Sequence, residues 1–265
     1  FSEAIEIARS IKEEDRAKTW VLADIAAELA KAGSKEKSES VFSEAIKVAD
    51  SVKDAKDKAW ALAGIATGLA KIGKTGNALR IANSINNEAL KAIALASIAT
   101  ELAKTGKVEN ALEMAYSIDR KTWKAEALAG IATELAKAGN KQKSESVFSE
   151  AIEVADSVKS TWLKSDALSH IAIGLSKTDR IKNALEIANT IKGGERKVYA
   201  LSSIATELAR KGNTERSEAI FFDAIEIADS LKYEDKARAF AGIATELAKL
   251  GKVRKAIEIS FSLKY

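Results

Sequence analysis

The chain has 265 residues, of which 46% are hydrophobic and 6% aromatic, and it contains no cysteine and no proline. This composition excludes disulfides and thiolate metal sites, and no apolar run approaches the ~20 residues of a membrane-spanning helix. The 42 basic and 38 acidic residues are interleaved and give a formal net charge of +4, which disfavours a basic nucleic-acid footprint. We expect a cytoplasmic protein that binds no membrane. One glutamine, one histidine and one methionine beside abundant Lys and Glu favour a thermophilic source.

A nonapeptide dominates the chain. It reads IATELAKAG at residues 131–139, and its relatives begin at Ile25, Ile65, Ile98, Ile171, Ile204 and Ile243. The spacings between successive copies are 40, 33, 33, 40, 33 and 39 residues. Ala, Leu, Glu and Lys favour helix, and periods of this length are typical of helical solenoids. We therefore predict an all-α repeat protein.

A turn signal closes each copy of the nonapeptide. The ninth residue is glycine in six copies and Asp179 in the seventh. Because glycine enters the left-handed backbone region cheaply, it is typical of the residue just past a helix. Each unit should therefore consist of helix A, which carries the nonapeptide, a tight turn, and helix B. Seven A helices and eight B helices fit the sequence, and the longer spacings place seven extra residues, about two turns, in helix B.

The longer units carry a small–aromatic–small pattern five, nine and twelve residues after the turn glycine. Its members are Ser38, Phe42 and Ala45, then Ser144, Phe148 and Ala151, then Ser217, Phe221 and Ala224. This pattern resembles helix B of the tetratricopeptide repeat family, and the chain is similar to a divergent, partly elongated member. The resemblance implies a right-handed α-α superhelix of about seven helix pairs, whose A helices line a concave groove.

The organisation follows from the repeats. One helix pair cannot bury its own apolar stripe, so stability comes from stacking neighbouring pairs. We therefore predict a single continuous array over residues 1–265. The chain opens on FSEAIEIARS, a B helix without an A partner, and closes without an evident polar cap. These ends predict a fragment of a longer chain or head-to-tail self-association between molecules.

Catalytic patterns are missing from the sequence. It contains no phosphate-binding glycine loop, no HExxH, no GxSxG and no cysteine nucleophile. The lone histidine, His170, has no evident partner for acid–base work or metal binding. We predict that the chain is not an enzyme and that it needs no cofactor and no metal.

A second stripe of helix A should face solvent. At 100° per residue, the nonapeptide Ile, Leu and Ala residues lie on one apolar arc. The opposite side of the helix holds three other positions, which lie five residues before the nonapeptide Ile, two residues after it and six residues after it. The aromatic candidates there are Trp20, Trp60 and Tyr199, and the threonine candidates are Thr67, Thr100 and Thr133. Aromatic residues dominate binding hot spots. The alternative for the tryptophans is that they cover the end of a neighbouring helix.

A ladder of basic residues ends the same stripe. In five units a glutamate precedes the basic residue by three positions, which predicts pairs within the helix. Gly68 and Gly174 replace that glutamate in two units and leave Lys71 and Lys177 without it. These two lysines are therefore the candidates for contacting an acidic ligand.

The leading functional hypothesis is a protein-interaction scaffold that binds a peptide or partner segment on the concave face of the A helices. One alternative is the sensor or regulatory arm of a larger multidomain protein, such as a signalling ATPase. Another is single-stranded RNA binding, which helical repeats perform with variable polar residues at fixed places. The recurring Ala and Thr and the balanced charge disfavour RNA.

Overall fold

The computed structural model describes residues 1–11 and 15–261. This part of the chain is 83% helical, has no strands, and contains 15 helices packed in neighbouring pairs. The helices are α1 (Ser2–Ser10), α2 (Asp15–Lys31), α3 (Lys35–Ser51), α4 (Ala55–Lys71), α5 (Thr75–Asn83), α6 (Glu88–Lys104), α7 (Val108–Tyr116), α8 (Lys121–Lys137), α9 (Lys141–Asp156), α10 (Thr161–Ser176), α11 (Ile181–Thr190), α12 (Gly194–Arg210), α13 (Thr214–Ser230), α14 (Tyr233–Lys249) and α15 (Val253–Phe261). The even-numbered helices are the seven A helices and the odd-numbered ones the eight B helices, so the all-α prediction is confirmed.

The turns between A and B helices use the left-handed backbone region, as the glycines predicted. At the end of α2, Gly33 has φ +83° and donates its N–H to the Ala30 carbonyl at 3.0 Å. The next N–H, of Ser34, donates to the Leu29 carbonyl at 2.9 Å. These two bonds satisfy carbonyls that the helix end would otherwise leave open. Asp179, the one substitute for glycine, has φ +65° and confirms the prediction that it takes the same role.

The nonapeptide residues form the core. Ile65, Ile98, Ile131, Ile171, Ile204 and Ile243 are all fully buried, and Ile25 in the first A helix is half-buried. Within residues 1–127, α2 packs on α3 and α4, and α4 packs on α5 and α6. Within residues 128–265, α10 packs on α11 and α12, and α12 on α13 and α14. Small alanines next to the isoleucines let these helices approach closely, which explains why alanine is abundant.

The long B helices differ from the short ones in length and in their contacts. The long helices α3, α9 and α13 have 16 or 17 residues, whereas α5, α7 and α11 have 9 or 10. Each long helix buries one serine, whose hydroxyl donates to an alanine carbonyl of the preceding A helix. The pairs are Ser38 to Ala26 at 2.6 Å, Ser144 to Ala132 at 2.8 Å and Ser217 to Ala205 at 2.7 Å. The small residue of the pattern therefore serves as a hydrogen-bond donor between helices.

Two compact units make up the chain, Phe1–Ala127 and Leu128–Tyr265, and the boundary lies within α8. Each unit has its own buried isoleucines and leucines. Among the described helices, none combines the length and the apolar character that crossing a lipid bilayer would require.

Candidate functional site

Two tryptophans lie side by side on the first unit. Trp20 of α2 and Trp60 of α4 have ring centroids 6.4 Å apart and planes inclined by 54°. Trp20 is 37% exposed and Trp60 is half-buried. A Cβ added to Gly64 would lie 2.8 Å from Cε3 of Trp20, so this ring covers the backbone of α4. Trp20 therefore fits both sequence interpretations, because it covers a neighbouring helix and keeps an accessible surface.

The threonine positions are less accessible than the helical wheel predicted. Thr67 and Thr100 are half-buried. The hydroxyl of Thr100 donates to the Ala96 carbonyl at 3.0 Å. Thr133 is 6% exposed and donates to the Ala129 carbonyl at 2.7 Å, so the prediction that it faces solvent is wrong. The helical wheel placed Thr133 outside the apolar arc. It could not include the neighbouring helix α10, which covers Thr133 and whose Gly174 lies against Thr133 Oγ1.

Tyr199 lies on α12 of the second unit and is half-buried. On α10 of that unit, Trp162 is 59% exposed and the Arg196 guanidinium lies 5.5 Å from its ring centroid. Arg196 also pairs with the carboxylate of Asp166, which is 9% exposed, at 3.0 Å. The helix A position that holds Trp20 and Trp60 in the first unit holds Asp166 on α10, and Asp166 pairs with Arg196 of α12.

The basic ladder forms the predicted pairs within the A helices. The distances are 2.6 Å for Lys31–Glu28, 3.4 Å for Lys104–Glu101, 2.8 Å for Lys137–Glu134, 2.7 Å for Arg210–Glu207 and 2.5 Å for Lys249–Glu246. The hydrogen bond from Lys31 holds the pKa of Glu28 below its usual value. Exposed pairs such as Lys31–Glu28 contribute about 0.2–0.5 kcal/mol each and are features of a solvated surface, whereas Glu246 of the last pair is only 4% exposed.

Lys71 and Lys177 lack this partner, as the glycines at positions 68 and 174 predicted, but their surroundings differ. The Lys71 ammonium lies 3.4 Å from the Asp24 carboxylate of the preceding A helix. No carboxylate oxygen in the described part of the chain lies within 4.0 Å of the Lys177 ammonium. Burial, followed by the positive charge of Lys137, lowers the pKa of Lys177 despite the opposing charge of Glu207.

Each of these lysines lines a cleft between two consecutive A–B turns. The first turn cleft encloses about 550 Å³ and is lined by Lys31, Lys35, Glu39, Lys71 and Lys74 among others. The second turn cleft encloses about 530 Å³ and is lined by Lys137, Lys141, Glu145, Lys177, Asp179 and Arg180 among others. Corresponding residues of the two clefts are 106 positions apart in the sequence.

Both clefts are bridged in the same way. Lys74 pairs with Glu39 in the first, and Arg180 pairs with Glu145 at 2.8 Å in the second. The pattern of the A helices did not point to Lys35, Lys74, Lys141 and Arg180, because these four residues lie at the starts of B helices. A signal was present, since a basic residue just after the turn follows the long-helix glutamate by 35 positions in both cases.

His170 takes part in a local contact of α10. Its Nδ1 lies 3.0 Å from the Asp166 carbonyl oxygen, one turn earlier in the helix. Across residues 1–11 and 15–261, no group of three or more His, Asp or Glu side chains is arranged to hold a metal ion. The lack of an enzymatic activity stays a prediction.

The comparisons with known proteins give distant likenesses to solved structures alone. No protein-family model matches the chain, and no curated protein matches it. Among solved structures, the crystal structure of Ton1535 from Thermococcus onnurineus NA1 is similar, with 21% sequence identity and a TM-score of 0.39. That likeness covers 99% of this chain and 82% of the other.

Proposed function

We propose that this chain is a protein-interaction scaffold of the tetratricopeptide type, a right-handed α-α superhelix whose A helices bind an extended or helical segment of a partner protein. The observation that carries the proposal is the accessible pair formed by Trp20 and Trp60 on consecutive A helices. Two adjacent aromatic rings that keep solvent contact are typical of the anchors that dominate protein interfaces.

The pair is preorganised for binding. Trp20 is fixed against the backbone of α4 because Gly64 leaves room for its ring. A side chain that is already immobile loses little conformational entropy when a partner binds, and this raises affinity. Ile93, at the corresponding position of α6, is half-buried and extends the apolar surface by one helix.

The other end of the same face offers charge. Lys71 pairs with Asp24 at 3.4 Å, and both side chains are substantially exposed. Such a pair contributes at most about 1 kcal/mol. A carboxylate of the partner can therefore replace Asp24 at small cost. A segment with an apolar side chain over the tryptophans and an acidic residue near Lys71 fits this face.

A crosslinking experiment tests the proposal. A photoreactive residue at position 67, on the same helix as Trp60 and Lys71, should capture a partner from the source cells. With that partner purified, Trp60→Ala should weaken binding by about 30-fold or more, since hot-spot residues contribute about 2 kcal/mol or more. Trp162→Ala is the matched control, because Trp162 is an exposed tryptophan of the other unit.

Equal affinities of the wild type and Trp60→Ala for the captured protein would contradict the proposal. Trp20→Ala is a weaker test, since removing the ring uncovers Gly64 and lowers stability as well. Melting curves of each variant separate loss of binding from loss of fold.

A further inference from the structure

The two turn clefts have the same design but different charge balance. In the first, the cations Lys31, Lys35, Lys71 and Lys74 meet the carboxylates Asp24, Glu28 and Glu39. In the second, the cations Lys137, Lys141, Lys177, Arg180 and Lys211 meet the carboxylates Glu134, Glu145 and Asp179. Among the lining and directly paired groups, the first cleft therefore has one cation in excess and the second has two, while Glu207 attracts Lys177 from farther than 4.0 Å.

One substitution explains the difference. Asp24 pairs with Lys71 in the first cleft, and the residue 106 positions later, which would pair with Lys177, is Gly130. The ammonium group of Lys177 consequently has no carboxylate within 4.0 Å in the described part of the chain, and Lys141, like its counterpart Lys35, also has none. The Lys177 side chain is exposed, but nearby protein atoms and the positive charge of Lys137 still disfavour its charged form.

Two unpaired ammonium groups beside a guanidinium favour a compact polyvalent anion. Lysine is a common phosphate ligand and acts as a point charge, whereas arginine contributes directed N–H groups. Arg180 is held in place by Glu145 at 2.8 Å and lies 5.8 Å from the ring centroid of Phe148. The cleft volume of about 530 Å³ lies within the range of small-ligand sites.

We propose that the second turn cleft binds a small soluble polyvalent phosphate, with Lys141, Lys177 and Arg180 as its main ligands. The ligand neutralises the two excess cations. It places a negative charge beside Lys177, as Asp24 does beside Lys71. This site lies in the second unit and the tryptophan pair in the first, so the inference does not depend on the proposed function.

Calorimetric titration of the full chain with sodium pyrophosphate at pH 7 and low salt tests the site, because salt screens such interactions. We expect one saturable site. Lys141→Met and Lys177→Met should each weaken binding by about tenfold or more, as expected when a charge-assisted hydrogen bond is removed. Lys232→Met is the control, because Lys232 is an exposed lysine that lines neither turn cleft.

A gain of binding gives an independent test. Asp24→Asn removes the partner of Lys71 and gives the first cleft the charge excess of the second. This variant should bind two pyrophosphate ions per chain. Lys141 and Lys177 are both exposed, so neither replacement should disturb the fold, and melting curves of the two variants check this.

Three results would overturn the inference. The first is that no saturable binding occurs in the wild type. The second is that Lys232→Met weakens binding as much as Lys177→Met, which would show attraction to general positive charge. The third is attachment to anionic lipid vesicles without affinity for free pyrophosphate, which would refute a soluble ligand.

Discussion

The ring of Phe148 occupies the place where a side chain at position 174 would begin. A Cβ added to Gly174 would lie 3.2 Å from Cε1 of Phe148 and 2.7 Å from Oγ1 of Thr133. The first unit repeats this arrangement, since a Cβ at Gly68 would lie 3.0 Å from Cε1 of Phe42. The aromatic residue of each of these long B helices is thus accommodated by a glycine in the next A helix.

Gly174→Ala should therefore destabilise the protein, although alanine is the better helix former. Overpacking costs about 1–3 kcal/mol, and alanine regains about 1 kcal/mol of helix propensity. We expect a net loss of roughly 1 kcal/mol in the free energy of unfolding, measured by urea denaturation. Gly242→Ala is the control, because nothing lies within 4 Å of the added Cβ, and it should be neutral or stabilising.

A double mutant identifies the cause. Thr133→Ala removes the hydroxyl nearest to the new Cβ, so Gly174→Ala should cost less in that background than in the wild type. Equal costs in the two backgrounds would show that Thr133 does not limit the packing of α10.

Ser144→Ala tests the hydrogen bond between the long B helix and its A helix. The buried hydroxyl donates to the Ala132 carbonyl at 2.8 Å. Its loss should reduce the free energy of unfolding by about 0.5–1.5 kcal/mol. Ser149→Ala, an exposed change on the same helix, should stay within about 0.5 kcal/mol of the wild type in the same denaturation assay.

The turn glycines provide a backbone test. Gly33 has φ +83° and open space around its Cβ position, so Gly33→Ala adds backbone strain without a clash. The expected loss in stability is about 1–2 kcal/mol. Gly76→Ala has equally open space and no positive φ, and it should not lower the melting temperature. If both variants melt alike, the left-handed turn does not limit stability.

The depressed pKa of Lys177 predicts a pH dependence. The folded state disfavours the charged ammonium of Lys177, so this group lowers the free energy of unfolding at a pH below its folded pKa. The loss decreases as the pH rises from the folded pKa towards the unfolded value near 10.5. Lys177→Met should therefore have a higher melting temperature than the wild type at pH 7. The difference between the two melting temperatures should become smaller towards pH 10. Melting curves followed by circular dichroism measure it, and a difference that widens with pH would contradict the assigned cause.

The sequence alone predicted the helices and their turns well because both depend on local patterns. The nonapeptide period placed the buried isoleucines, and the glycines, together with Asp179, placed the left-handed turns. The extra seven residues were correctly assigned to helix B, since α9 has 16 residues and α7 has 9.

Contacts between helices were harder to predict. The helical wheel of α8 could not show that α10 covers Thr133. The wheel of α4 likewise could not show that Asp24 of α2 pairs with Lys71. The absence of a glutamate at Gly174 was visible in the sequence, but its cause was not. A Cβ at position 174 would meet both the hydroxyl of Thr133 and the ring of Phe148, and only packing brings these two groups to α10.

The match between phenylalanine and glycine limits how such a chain can grow by gene duplication. Phe42 and Gly68 belong to different hairpins, as do Phe148 and Gly174, and the two sets are 106 residues apart. Copying three hairpins together keeps each ring with the space that receives it. Inserting a hairpin between a long B helix and the A helix that follows it would set the ring against the wrong partner, so hairpins should be gained or lost at other junctions of the chain.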